Sequence, residues 1–117
     1  MKTITEQRSH WQVMAQWPVT YWNDELFGQG TVLNLSHRGC RVVGTMSVVD
    51  GMRIKLWISP PNQEDRLCVE EARVLWAKDY EFELAFQQLA AIDQRELAIV
   101  LQSAERGRSF QAILSSS

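Results

Sequence analysis

Apolar and polar positions alternate with period two through most of the chain, until the spacing changes near residue 92. Met52, Ile54, Leu56 and Ile58 alternate with Arg53, Lys55 and Trp57, which predicts a strand with one buried and one wet face. Tyr80, Phe82, Leu84 and Phe86 alternate with Glu81, Glu83 and Ala85 and predict a second. Ala72, Val74 and Trp76 form the inward set of a third. Leu67 and Val69 are in step with each other but out of step with Ala72, so a bulge is expected at Glu70-Glu71. Further strands are expected at Ala15 to Trp22, Thr31 to Leu33 and Cys40 to Thr45. Pro18, which has no backbone N–H to give a ladder, points to an edge or strand-start position in the first of these.

Turn residues separate the runs. Gly28-Gln29-Gly30 is expected to precede the strand at Thr31, Asp50-Gly51 fits a tight hairpin before Met52, and Pro60-Pro61-Asn62 stops the strand ending near Ile58. Lys78-Asp79 is a short connection between two strongly alternating runs. After residue 92 the period becomes helical. Asp93 and Glu96 have capping-box spacing, Leu97, Val100, Leu101 and Ala104 recur on one helical face, and Gly107 is a plausible stop. Six short strands followed by one amphipathic helix predict an antiparallel barrel or sandwich that buries the helix stripe. The expected layout is an N-terminal arm over residues 1–12, a single barrel domain over 13–106 with its helix near 92–105, and a tail over 107–117.

A chain of 117 residues suits one domain with one core. Its 12 basic and 14 acidic residues give a net charge of −2, too little positive field for a general binder of nucleic-acid polymers. An anionic ligand would have to be small and met by a local group of cations. No apolar run approaches the roughly 20 residues that span a bilayer, and Met1 to Gln12 is polar, so a cytoplasmic location without membrane insertion is expected. Cys40 and Cys68 do not make a disulfide framework. His37-x-x-Cys40 has a metal-like spacing, but only His10 and Cys68 remain to complete a nitrogen and sulfur set, so no metal is expected. No nucleophile elbow, P-loop or triad order is present, and Glu70-Glu71, on opposite faces of a strand, would be a poor acid–base pair. The chain is therefore not expected to be an enzyme or to need a cofactor.

Between two predicted strands stands Asn34-Leu35-Ser36-His37-Arg38-Gly39, an N-x-S-x-x-G turn. Asn and Ser side chains can bond local backbone groups or a ligand, and Gly39 admits a positive φ or the close approach of another backbone. Around it lie Arg8, Pro18-Val19, Val74-Leu75-Trp76, Phe82-Glu83-Leu84-Ala85-Phe86 and a helix opening at Asp93, in that order. Over nearly its full length the chain thereby resembles the PilZ family, in which an R-x-x-x-R element precedes a P-V strand and a [D/N]-x-S-x-x-G turn. The resemblance implies a six-stranded antiparallel Greek-key β-barrel with a C-terminal helix, and the ligand cyclic di-GMP, often bound as an intercalated dimer. It implies that Arg8, Asn34, Ser36 and Gly39 contact that ligand. Arginine suits the task, because its guanidinium pairs bidentately with phosphate or with the O6/N7 edge of guanine and stacks on bases.

The pattern departs from the family in one place. If Arg8 is the first arginine of R-x-x-x-R, the second position holds Gln12; if Arg8 is the second, the first position holds Ile4. Losing one partner of a desolvated charged contact costs about 2–5 kcal/mol. Reduced affinity is therefore expected, with Arg38 and Arg41 beside the turn as the available replacements. Trp76, sharing a face with Val74, is expected in the core, and Trp57 on the wet face marks a candidate surface for a partner or a homodimer. Two readings follow. One is a cyclic di-GMP receptor whose arm orders over the ligand and whose changed surface meets an effector protein. The other is a PilZ-fold protein–protein adapter that no longer binds the nucleotide.

Overall fold

The computed structural model describes residues 13–61 and 64–116, with side chains through Ser103. Arg8, His10, Gln12, Asn62 and the side chain of Ala104 lie outside the described residues. Six strands run in chain order: β1 (Val13–Trp22), β2 (Phe27–Leu35), β3 (Gly39–Gly44), β4 (Arg53–Ile58), β5 (Leu67–Lys78) and β6 (Glu81–Gln88), followed by helix α1 (Ala91–Ser116). They close into a barrel in the order β1-β2-β3-β6-β5-β4, with every neighbouring pair antiparallel. Because β4 returns to lie beside β1 rather than β3, the first four strands form the expected Greek key.

The period-two pattern places the core. Ile54, Leu56 and Ile58 of β4, Phe82 and Leu84 of β6, and Leu67, Val69, Ala72 and Val74 of β5 are all buried. Val69 pairs with Leu56 and Ala72 with Ile54, so β5 spends three residues where β4 spends two. That is the bulge expected at Glu70-Glu71. It puts both carboxylates on the outer face, where Glu71 meets Arg53 at 3.7 Å, rather than on opposite faces.

Other expectations change because a strand's neighbours are set by the barrel. Gly28-Gln29-Gly30 lies within β2, not before it. A side chain at Gly28 or at Gly44 would overlap the ring of Tyr21, which is fully buried and packs edge-on against Phe82 at 5.1 Å. Asp50-Gly51 does make a turn, closed by the Met52 N–H on the Val49 carbonyl at 3.1 Å. It is not a hairpin, since β3 and β4 are not neighbours. Pro18 sits inside β1, but its carbonyl faces Ser59, one residue past the end of β4, so no β4 residue needs its missing N–H. Tyr80 leaves the inward set for the Asp79-Tyr80 turn and is exposed.

The helix begins two residues before Asp93 and continues through Gly107 to Ser116, so Gly107 is not its stop. Asp93 does not cap it. Its carboxylate accepts the Cys68 N–H at 3.1 Å and ties the first turn to β5. Leu97, Val100 and Leu101 are buried as the helical spacing predicts, and α1 packs against β5 and β1.

Candidate ligand site

The turn joining β2 to β3 is built by its own side chains. The Ser36 N–H donates to the Gly39 carbonyl at 2.9 Å, and the Ser36 hydroxyl accepts the Arg38 N–H at 3.1 Å. The Arg38 carbonyl in turn accepts the Phe86 N–H at 2.7 Å, which fastens the turn to β6. Ser36, 8 % exposed, is the one buried polar residue among the described residues, and these bonds satisfy it. Gly39 serves close approach rather than a positive φ, because a Cβ there would overlap the Leu84 carbonyl oxygen of β6.

Asn34, Ser36, Arg38, Gly39, Glu83 and Ala85 line one open pocket of about 310 Å³ on the outer wall of the barrel. Three of the four residues expected at the site therefore converge, and Arg8 lies outside the described residues. The two small residues Gly39 and Ala85 are register partners and leave the floor clear. Of the two arginines flanking the turn, Arg38 lines the pocket directly.

Arg41 belongs to the adjoining row. Across the sheet Asn34 pairs with Arg41, Arg41 with Glu83 and Glu83 with Trp76, giving one line of outward side chains over β2, β3, β6 and β5. The Arg41 guanidinium lies 5.3 Å from the Trp76 ring centroid and 3.6 Å from a Glu81 carboxylate oxygen. Its Nε is buried without a hydrogen-bond partner among the described residues. The Trp76 indole N–H donates to Glu83 at 2.7 Å.

Trp76 is the principal correction to the sequence reading. It is not in the core with Val74. Val74 pairs with Leu84 and Trp76 with the next residue, Glu83, so Leu75 is an extra residue that turns Trp76 outward. Asn34 owes its direction to the same device, because Val32 pairs with Val42 and Asn34 with Arg41, leaving Leu33 as the extra residue. Sequence reasoning placed Glu83 on the wet face of its strand but did not assign it to the site. Its alternation with Phe82 and Leu84 was a sufficient signal for its outward direction, but not for its neighbours.

The remaining candidates separate from this pocket. Cys40 is buried while His37 is exposed, and no group of three or more metal-ligating side chains occurs among the described residues. Burial, aided by the charge of Glu83, pushes the Cys40 thiol far above its usual range, so it is not a reactive thiolate. Trp57 is on the wet face as expected, edge-on to Trp22 at 4.8 Å and under the Arg66 guanidinium at 4.5 Å, away from the turn. No helix among the described residues is long and apolar enough to cross a membrane.

Comparison with solved structures finds the same fold elsewhere. The PilZ domain of YcgR from Escherichia coli, solved with c-di-GMP, superposes with a TM-score of 0.70 at 14 % identity, covering 91 % of this chain and 97 % of that one. YcgR itself in complex with c-di-GMP gives a TM-score of 0.73 at 16 % identity, covering 93 % of this chain and 50 % of that one. The Bacillus subtilis inhibitor of motility MotI/DgrA is 26 % identical with a TM-score of 0.65, covering 87 % of this chain. The chain spans about half of that protein's length, 51 %. No curated protein sequence matches. The sequence profile of the PilZ domain matches residues 6–102, which include the turn, the row of outward side chains and the start of α1, and the chain therefore belongs to the PilZ domain family.

Proposed function

We propose that this PilZ domain is a non-catalytic receptor for cyclic di-GMP, acting in the cytoplasm as a module of bacterial second-messenger signalling. The observation that carries the reading is the convergence of Asn34, Ser36, Arg38 and Gly39 on one open pocket, with Arg41 and Trp76 in register with its lining residues Asn34 and Glu83. A cyclic dinucleotide offers two phosphates and two flat bases. Arg38 supplies charge at the pocket, and the Arg41 guanidinium and the Trp76 ring stand in the adjoining row of outward side chains, a cation for phosphate and a flat surface for a base. Arg8, one of the two arginines that the family motif places on the arm, completes the grip from the N-terminal side. With Gln12 or Ile4 at the other motif position, Arg38 and Arg41 carry more of the phosphate charge and the affinity is reduced. YcgR, solved with c-di-GMP, supports the ligand class by family relationship. Contact of the arm with bound nucleotide would change the surface offered to an effector protein.

The second reading is an adapter that no longer binds nucleotide. Exposed Trp57, in its cluster with Trp22 and Arg66, favours it as a protein-facing or homodimer surface. MotI/DgrA, an inhibitor of motility, makes motility control a reasonable process for either reading.

Calorimetric titration with cyclic di-GMP tests the proposal. Saturable binding in the micromolar range, lost in Arg8→Ala and Ser36→Ala, is expected, and Gln12→Arg should tighten it. Absence of heat up to near-millimolar ligand in both the wild type and Gln12→Arg would leave the adapter reading.

A further inference from the structure

We infer that Glu83 is the specificity-determining residue of this site, selecting guanine over adenine by accepting the donors of the guanine Watson–Crick edge. The inference rests on the cyclic dinucleotide reading above and adds to it the group that reads the base.

Among the described residues, Glu83 is the only carboxylate lining the pocket shared by Asn34, Ser36 and Arg38. A carboxylate facing a ligand with two phosphates lowers affinity unless it meets hydrogen-bond donors. Its cross-strand neighbour Arg41 makes no ion pair with it among the described residues and meets Glu81 instead, at 3.6 Å. One oxygen of Glu83 is taken by the Trp76 indole N–H at 2.7 Å, which fixes the carboxylate in place without cancelling its charge. The second oxygen has no hydrogen-bond partner among the described residues and belongs to a side chain at the pocket wall.

The position suits a base rather than a phosphate. Asn34 and Glu83 stand on either side of β3, two strand spacings or about 10 Å apart, which is a nucleotide's reach rather than a phosphate's. A base laid beside Trp76 brings its edge to Glu83. Guanine presents two adjacent donors there, N1–H and the N2 amino group, and both match a carboxylate as charge-assisted bonds. Adenine presents an unprotonated N1 at the same place, and its lone pair opposes the carboxylate. Discrimination therefore combines an attraction for one base with a repulsion for the other.

The test compares cyclic di-GMP with cyclic di-AMP by titration of the full chain and its Glu83→Gln and Glu81→Gln variants. The wild type should prefer cyclic di-GMP, and Glu83→Gln should reduce the ratio of affinities roughly ten- to a hundred-fold, the worth of a charged hydrogen bond. The Trp76 indole N–H resonance, assigned by its loss in Trp76→Phe, should persist in Glu83→Gln, since the amide oxygen still accepts. Glu81→Gln should leave the ratio unchanged. A ratio within about twofold of wild type in Glu83→Gln overturns the inference while leaving the receptor intact. Equal changes in the two variants overturn it as a general charge effect. If neither the wild type nor Gln12→Arg binds either dinucleotide, the receptor reading falls and this inference falls with it.

Discussion

The Trp76 indole N–H donates to Glu83 at 2.7 Å on the outside of the barrel, although Val74, two residues earlier, lies in the core. Regular alternation would put both on one face. Leu75 is the extra residue that breaks it, and Leu33 does the same for Asn34 on β2. Two bulges thus deliver the two ends of one row of outward side chains, with Arg41 and Glu83 between them. Bulges are a known way to re-aim a side chain at a site without altering the rest of the sheet.

Placement outside the core sets the cost of removing Trp76. Trp76→Ala should destabilise the fold by about 1–2 kcal/mol, against about 3–5 kcal/mol for Phe82→Ala, a fully buried ring. Denaturant unfolding checks this. The same Trp76→Ala protein should bind cyclic di-GMP at least tenfold more weakly, whereas a core role would reverse the two effects.

Gly39→Ala should cost about 3 kcal/mol and abolish ligand binding, because the added methyl meets the Leu84 carbonyl and forces β3 from β6. Gly51→Ala is the comparison. Nothing lies within 4 Å of its Cβ, and only its φ of 85° resists a side chain. It should cost about 1 kcal/mol with ligand affinity unchanged. Thermal unfolding and titration of both variants distinguish contact from backbone strain.

Tyr21→Phe isolates the hydroxyl that both accepts the Met46 N–H at 2.9 Å and donates to the Met46 carbonyl. Losing it leaves two backbone groups of the β3–β4 connection short of a partner. A loss of about 1–3 kcal/mol is expected, with faster amide exchange over residues 45–52.

Burial raises the Cys40 thiol, with Glu83 adding to the effect, above an ordinary value of 9.0. The folded state therefore favours the protonated thiol more than the unfolded state does. Its contribution is fully present below pH 9 and is lost as pH rises further, because unfolding then releases a proton. Stability should fall above about pH 9 by up to 1.4 kcal/mol per pH unit from this group. Unfolding free energies measured between pH 7 and 11 should show a shallower alkaline decline in Cys40→Ala than in wild type.

Much of the fold was legible because period two is a property of the backbone. Ile54, Leu56, Ile58, Phe82 and Leu84 could be assigned to the inside from spacing alone, and the phase slip between Val69 and Ala72 located a bulge. The slip at Leu75 was not legible, because Val74-Leu75-Trp76 is apolar throughout and offers no polar residue to reveal the change of face. The turn motif was readable by residue type, yet it said nothing about which strand would stand opposite it. Asp93 shows the same limit. Its spacing to Glu96 suits a cap, but its carboxylate accepts the backbone N–H of Cys68 on β5.

By itself the sequence determined which residues alternate, where the period becomes helical, and that an Asn-x-Ser-x-x-Gly turn stands between two strands. These follow from local sterics and from burial of one face, which act over a few residues. Only the closed barrel decided that β3 lies beside β6 rather than β4, and so that Arg41 and Glu83 share one wall with Asn34 and Trp76. That choice depends on strand pairing across long stretches of chain, and no local preference encodes it.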